Sequence, residues 1–401
     1  MDVLRQALRH VESAAAVLGD PLRAGARTAV FFLKVLPNVP SKAVDWLTPE
    51  PVIERVRYPS LSGMVDAELY RPGGTGPYPG VVVCLGVVPF GVDHPQVPRL
   101  GAALARAGFA ALLYWSPALR DLRLDPHDTD DIALVYQWLI ERPDIDAARS
   151  GLLGACVGGA FALMAAAQPT VQERVGFVIA WAPYASMRSL ARDIASASTA
   201  DGDTVAPWAV DQLTRKVYVR SLTDVLDEGE AARLRATCAE RAEQPGLPDL
   251  SATGATIYPL LTALDRATAE AAVERLPAEL QQRLDAMSPL PVVDAIRAPL
   301  IVLAHDRSDQ VIPITESRRL WDAFAGRDGV RYTEFAMFKH LDPTKVRLAP
   351  LALAREMLRF YGTLYPVFRQ ACVPRERSQR SKGKRALAQA RTPPSRFRTL
   401  L

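Results

Sequence analysis

Gly151-Leu152-Leu153-Gly154-Ala155-Cys156-Val157-Gly158-Gly159, followed at once by Ala160-Phe161-Ala162-Leu163-Met164-Ala165-Ala166-Ala167, is the stretch on which the fold turns. An apolar run that ends in small residues and passes straight into a helix-prone run reads as a strand, a tight turn and a helix. The backbone approaches itself closely in such a turn, so small residues are needed two before and two after the turn residue. Gly154 and Gly158 hold those two places around Cys156. A side chain there faces the positive end of the helix dipole, and reactive thiols occupy such places when a base is near.

Outward from this turn the chain alternates short apolar strands with helical patterns. Val81-Val82-Val83-Cys84-Leu85 and Ala110-Ala111-Leu112-Leu113-Tyr114 read as strands, separated by a helix near Val97 to Ala107 and followed by another near Thr129 to Glu141. Val175-Gly176-Phe177-Val178-Ile179-Ala180 follows the turn. Alternation of this kind predicts a mostly parallel sheet with helices on both faces. Ahead of it, Val52 to Tyr58 and Gly63 to Tyr70 predict two antiparallel strands.

The alternation stops near Ser186 and resumes at Pro299-Leu300-Ile301-Val302-Leu303-Ala304. The intervening residues read as mostly helical, without strand-like alternation, with Val217 to Leu226, Glu228 to Glu243 and Ala267 to Met287 as the main runs. An insertion at the rim of a sheet predicts a cap. A helix from about Thr315, a strand at Val330 to Phe335 and a helix around Leu351 to Tyr361 complete the pattern. The organisation expected is an N-terminal helical extension (1–50), a core in two parts (51–185 and 291–370), a helical cap (186–290) and a basic disordered tail (371–401). The tail holds Arg, Ser, Lys, Gln and Pro with few apolar residues, which cannot offset the entropy of ordering.

With 401 residues, 49% of them hydrophobic and 23% charged, the composition is that of an ordinary globular protein, and no stretch is apolar for long enough to span a bilayer. The net charge of +4 conceals a division. From Cys372 to Leu401 there are nine Lys or Arg against one Glu, which leaves the preceding residues at −4. The tail is thus expected to contact anionic surfaces weakly, with no specific nucleic-acid partner. Met1-Asp2-Val3-Leu4-Arg5-Gln6 brings an acid early and no apolar core, so a cytoplasmic protein is expected. Four scattered cysteines without a CxxC pair indicate reduced thiols and no structural metal. Nothing in the sequence calls for a cofactor.

A thiol nucleophile needs a base, and the base needs an orienting carboxylate. Asp309, in Asp309-Gln310-Val311-Ile312-Pro313, follows the strand ending at Ala304, and His340 follows the strand ending near Phe335. The chain order is nucleophile, acid, histidine. On alternating β and α units behind two antiparallel strands, that order resembles the α/β-hydrolase superfamily over about residues 51 to 366. Within it the chain resembles the dienelactone hydrolase family, whose turn is similarly Gly-x-Cys-x-Gly-Gly, and Phe90-Gly91-Val92-Asp93 looks like that family's Phe-Gly-Val-Asn stretch.

The resemblance implies an oxyanion hole made by the backbone N–H groups of Val87 and Val157, and a Cys156, His340 and Asp309 triad acting on a carboxylic ester or thioester. The chain also departs from the family, first in its large insertion. The family's glutamate beside the thiol is matched here by Val88, so activation falls to His340 alone. The family's carboxylate-binding arginines have only Arg120 and Arg123 as loose counterparts.

Other readings stay open on the sequence. His305 is a rival base, Asp306 competes with Asp309, and Cys84, in an apolar strand, reads as a core residue. His127 opens a predicted helix, where a surface or capping role is expected. His94, Trp115, Trp181 and Tyr184 fall at predicted strand ends or helix starts near the same rim and are candidates for the substrate pocket. Trp208, in the insertion, is placed equally well in a pocket or a core. A non-catalytic binding or scaffold protein and an acyltransferase are the alternative functions.

Overall fold

The computed structural model describes residues 2–36, 41–87, 94–238, 249–338, 340 and 348–372, with side chains from residue 19 onward. Two β-strands, β1 (Val52–Ser60) and β2 (Gly63–Arg71), form an antiparallel hairpin, and β2 runs antiparallel to β4 (Ala110–Tyr114). The remaining strands of the sheet, β3 (Tyr78–Cys84), β5 (Ile145–Ala155), β6 (Phe177–Trp181), β9 (Ile301–Asp306) and β10 (Val330–Phe335), pair in parallel. A separate hairpin joins β7 (Ser198–Asp201) to β8 (Thr204–Pro207). The order across the eight-stranded sheet is β1-β2-β4-β3-β5-β6-β9-β10.

Parallel neighbours require crossovers, and here helices make them. Alternate side chains on each strand then pack on opposite faces, so that Val81 and Val83 join one core while Val82 and Cys84 join the other. One face is covered by α1 (Asp2–Val35), which is followed by the short α2 (Lys42–Leu47), together with α3 (Gln96–Arg106) and α14 (Pro350–Cys372). α1 is held there by Phe31 against Phe368, with ring centroids 5.7 Å apart, and by the Tyr361 hydroxyl, which donates to the Gly25 carbonyl at 3.0 Å. The other face carries the short α4 (Pro117–Arg120), α5 (Asp128–Glu141) and α6 (Val157–Ala165). This is the α/β-hydrolase fold: a mostly parallel central sheet with helices on both faces and a helical insertion.

The insertion contains α7 (Met187–Ser196), the β7–β8 hairpin, α8 (Gln212–Thr223), α9 (Glu228–Thr237), α10 (Ala252–Thr262), α11 (Arg266–Glu274) and α12 (Ala278–Ala286), after which α13 (Ile314–Ala323) packs between β9 and β10 in sequence. The hairpin is absent from the sequence reading because β8 is exposed along its length, so no buried face imposes alternation. The run expected as helix from Ala267 to Met287 is interrupted between α11 and α12, where Pro277 precedes the new helix. α14 runs past Tyr361 to Cys372, because Leu364, Val367, Phe368 and Ala371 continue its buried face. The remainder of the basic tail lies outside the described residues, as do Val88 and the Phe90-Gly91-Val92-Asp93 stretch. Among the described residues no helix is long and apolar enough to cross a membrane.

Candidate active site

The turn between β5 and α6 holds Cys156 at φ 58° and ψ −131°, a conformation that L-residues rarely adopt and that costs on the order of 1–3 kcal/mol. The surroundings impose it. The Cys156 N–H donates to the Trp181 carbonyl at 2.8 Å, and the Gly159 N–H donates back to the Cys156 carbonyl at 2.9 Å. A Cβ at Gly154 would lie 2.1 Å from the Gly158 carbonyl oxygen, and one at Gly158 would lie 2.1 Å from the Cys84 carbonyl oxygen. Both glycines are therefore required by backbone contact. The loop after β3 closes on the same residue, since a Cβ at Gly86 would stand 2.7 Å from Cys156 Cβ and 3.4 Å from its Sγ.

Asp309 lies in the loop between β9 and α13 and is 4% exposed. Its Oδ1 accepts from the Val311 and Ile312 N–H groups at 2.7 and 3.0 Å, which fixes the carboxylate plane. Its Oδ2 faces His340 Nδ1 at 2.7 Å, and His340 and Cys156 stand on the wall of one cavity. His340 sits at φ 74°, and its carbonyl accepts from the Trp181 indole N–H at 3.0 Å. Asp306 has another task. It accepts from the Ser308 N–H and hydroxyl through Oδ1 and from the Phe338 N–H through Oδ2, tying the loop that carries His340 to the end of β9.

The electrostatics follow from this geometry. Burial disfavours the imidazolium of His340, but the Asp309 carboxylate and Cys156 on either side outweigh it and raise its pKa to about 10. Burial likewise works against the Asp309 carboxylate. The charges and hydrogen bonds of His340 and His305 overcome it and hold Asp309 well below the ordinary carboxylate range.

A cavity of about 660 Å³ opens at Cys156 and includes His340, Gly86, Val87 and Val157 on its wall. His94 and Trp181 also line it. Trp115 and Tyr184 do not appear on its wall: Trp115 lies under the Arg120 guanidinium, and the fully buried Tyr184 donates its hydroxyl to the Met287 carbonyl at 2.7 Å. Neither loose arginine counterpart, Arg120 or Arg123, lines the cavity, and Arg123 pairs with Asp125 and Asp224. Trp208 is buried and donates its indole N–H to the Asp309 carbonyl at 3.0 Å, bracing the acid from the insertion. Cys84 is buried in the core, and the His127 side chain makes no capping bond to α5.

Two residues at this site went unmarked in the sequence. Gly86 carries no motif, and only its contact with Cys156 reveals it. Ser317 holds His305 from α13 at 2.6 Å, a pairing between elements that linear spacing does not expose. Among the described residues no group of three or more His, Cys, Asp or Glu side chains is arranged to hold a metal ion.

Comparison with known proteins gives short matches. No family model matches the chain. It is 34% identical over 129 residues to a probable 2-oxo-3-(5-oxofuran-2-ylidene)propanoate lactonase of Bradyrhizobium sp, covering 28% of this chain and 50% of that protein. It is 32% identical over 108 residues to acyl-coenzyme A thioesterase 3 of Mus musculus, covering 26% of this chain and 23% of the thioesterase. The chain thus matches half or less of the length of these curated relatives. Among solved structures, a 2,6-dihydroxy-pseudo-oxynicotine hydrolase aligns with a TM-score of 0.49 at 16% identity, over 79% of this chain and 68% of that one.

Proposed function

We propose that the protein is a cysteine-dependent hydrolase of a carboxylic ester or thioester, working through Cys156, His340 and Asp309 beneath a helical cap. The observation that carries this reading is the His340–Asp309 pair at 2.7 Å, with His340 sharing the wall of one cavity with Cys156. The short matches to a lactonase and a thioesterase support acyl chemistry as the class.

His340 takes the proton of the Cys156 thiol, and the sulfur attacks the acyl carbonyl. The negative charge that develops on the carbonyl oxygen is met by the Val87 and Val157 amides, each such donor typically being worth about 10²–10³ in rate. As the tetrahedral intermediate collapses, the bond to the leaving oxygen or sulfur breaks and His340 returns the proton to that atom. Water then adds to the acyl-enzyme with His340 as base, releasing the acid and restoring the thiol. Asp309 fixes the His340 tautomer and stabilises its charged form throughout.

Brief exposure to a panel of activated esters and acyl thioesters, followed by intact-mass measurement, tests this. The expected outcome is turnover and an acyl adduct that maps to Cys156 and disappears in Cys156→Ala. Folded protein with neither adduct nor turnover would instead indicate a binding protein of the same fold. Acyl transfer to added alcohols or amines in preference to water would identify an acyltransferase.

A further inference from the structure

The cavity at Cys156 is walled from both faces of the sheet. On one side its lining comes from the core under α1, α3 and α14, including Phe31, Val35, Val97, Leu100, Phe360 and Leu364. On the other it comes from the insertion, including Leu190, Ile194, Val217, Tyr218, Leu280 and Leu284. The two groups meet at the turn, where Ala155 belongs to the first core and Cys156 to the second. Cys156 therefore stands where two apolar walls, here called lobes, meet.

Three of the polar side chains on the wall, Asp211, Ser221 and Arg283, are engaged with the protein. Asp211 caps α8 through the Leu213 and Thr214 N–H groups. Ser221 donates to the Val217 carbonyl and accepts from the Leu124 N–H. Arg283 pairs with Asp224 and donates to the Leu124 carbonyl. A charged substrate would have to compete with these contacts, whereas an apolar one gains about 0.8 kcal/mol for each methylene removed from water. The volume of the cavity, about 660 Å³, is in the range of small-molecule sites.

We propose that the substrate is a neutral ester or thioester with an apolar group on each side of the scissile carbonyl, one in each lobe. The N-terminal helix α1, which contributes Phe31 and Val35 to the wall, is then part of the specificity machinery. This inference rests on the reading of Cys156 as the residue the carbonyl approaches. A site with one apolar lobe would leave the leaving group in solvent and select only the acyl chain. A two-lobed site selects both.

Ketones that mimic an ester without a cleavable bond separate these cases by binding alone. Calorimetric titration of the Cys156→Ala protein compares dipentyl ketone with methyl nonyl ketone, which have the same carbon count. The two-lobed site binds dipentyl ketone at least about tenfold more tightly, because two or more methylenes of the nonyl chain find no place in a single lobe. Equal affinity, a preference for the methyl ketone, or no binding of either overturns the inference. On the active enzyme, Val35→Trp and Ile194→Trp narrow one lobe each, so in a matrix of esters one variant lowers kcat/KM for long acyl chains and the other for long alcohols. Loss along the same dimension in both variants also overturns it. If dipentyl ketone is preferred but no ester or thioester is turned over, the two lobes stand and the hydrolase reading falls.

Discussion

His305 and Asp309 form a second histidine–carboxylate contact behind the one that meets Cys156, with His305 Nε2 3.5 Å from Asp309 Oδ2. The same nitrogen is 3.0 Å from the Ile312 carbonyl, and both neighbours are acceptors, so Nε2 carries a hydrogen. Nδ1 meets Ser317 Oγ at 2.6 Å, and that serine reaches the Pro183 carbonyl at 3.0 Å. His305 is fully buried and does not line the cavity. It is a positioning residue for Asp309. The substitution His305→Phe keeps the volume but leaves Ile312 and Ser317 without this partner, at a cost of about 1–3 kcal/mol in stability for a buried group so stranded. Urea unfolding checks that loss. Steady-state kinetics on a reactive ester should show kcat falling with KM held, since substrate does not touch the ring. A rise in KM alone would place His305 in substrate binding instead.

The His340 and Asp309 shifts predict a stability window. A histidine whose folded pKa is raised from 6.5 to about 10 contributes stability that is complete below about pH 6.5 and lost as pH rises through about 10. An aspartate lowered from 3.8 contributes stability that is complete above that value and lost as pH falls through its folded pKa. The pair is one interaction, and its contribution is whole between these limits. His340→Gln should therefore lower Tm most between about pH 4 and 6.5, with the gap to the wild-type protein closing toward pH 10. A gap that does not vary with pH between 5 and 10 would show that the imidazole titrates as it does in the unfolded chain.

Much of this site was legible because its parts are local. Gly154 and Gly158 announce the turn through spacing alone, and Asp309 and His340 follow strands that the apolar runs mark clearly. The residues that brace them come from elements far apart in sequence. Trp208 reaches the Asp309 carbonyl from the insertion, and Ser317 reaches His305 from α13. Trp115 shows the converse. It follows a strand at the expected rim, yet the side-chain direction that takes it out of the cavity depends on packing with Arg120, which no period encodes. The exposed β8 left no alternation to read for the same reason: where no face is buried, the sequence is free to vary.

The two small positions next to the thiol should respond differently to one added methyl group. At Gly154 the new Cβ would lie 2.1 Å from the backbone oxygen of Gly158, so strand and helix must separate. Gly154→Ala is expected to cost more than about 4 kcal/mol, the range of severe core lesions. At Gly86 the nearest contact is the Cys156 Cβ at 2.7 Å, with the nearest backbone oxygen, that of Ala155, farther off at 3.0 Å. Gly86→Ala should cost about 1–3 kcal/mol as ordinary overpacking. The shift moves the thiol relative to His340, so the rate of iodoacetamide labelling at Cys156 should fall with the fold intact by circular dichroism. Unchanged labelling would mean that the loop yields and the thiol stays in place.

Away from the site, Asp128 at the start of α5 offers a pH effect of opposite sign to that of a paired carboxylate. Burial raises its pKa to about 6, against the hydrogen bond that the Tyr114 hydroxyl donates to it at 3.1 Å and with Asp125 and Asp131 adding to the repulsion. A raised pKa means that the folded state favours the protonated acid. Its relative stabilisation is complete below the ordinary value of 3.8 and is lost as pH rises through about 6. At neutral pH the folded protein therefore holds a carboxylate it would rather keep neutral. Asp128→Asn removes that charge and keeps an oxygen for Tyr114. It should stabilise the protein by about 1–3 kcal/mol at pH 8, from the free-energy equivalent of a shift of this size, and change little near pH 4. Thermal unfolding of both proteins across this range decides the matter: a variant less stable at pH 8 would show that the carboxylate is compensated by a partner within the fold.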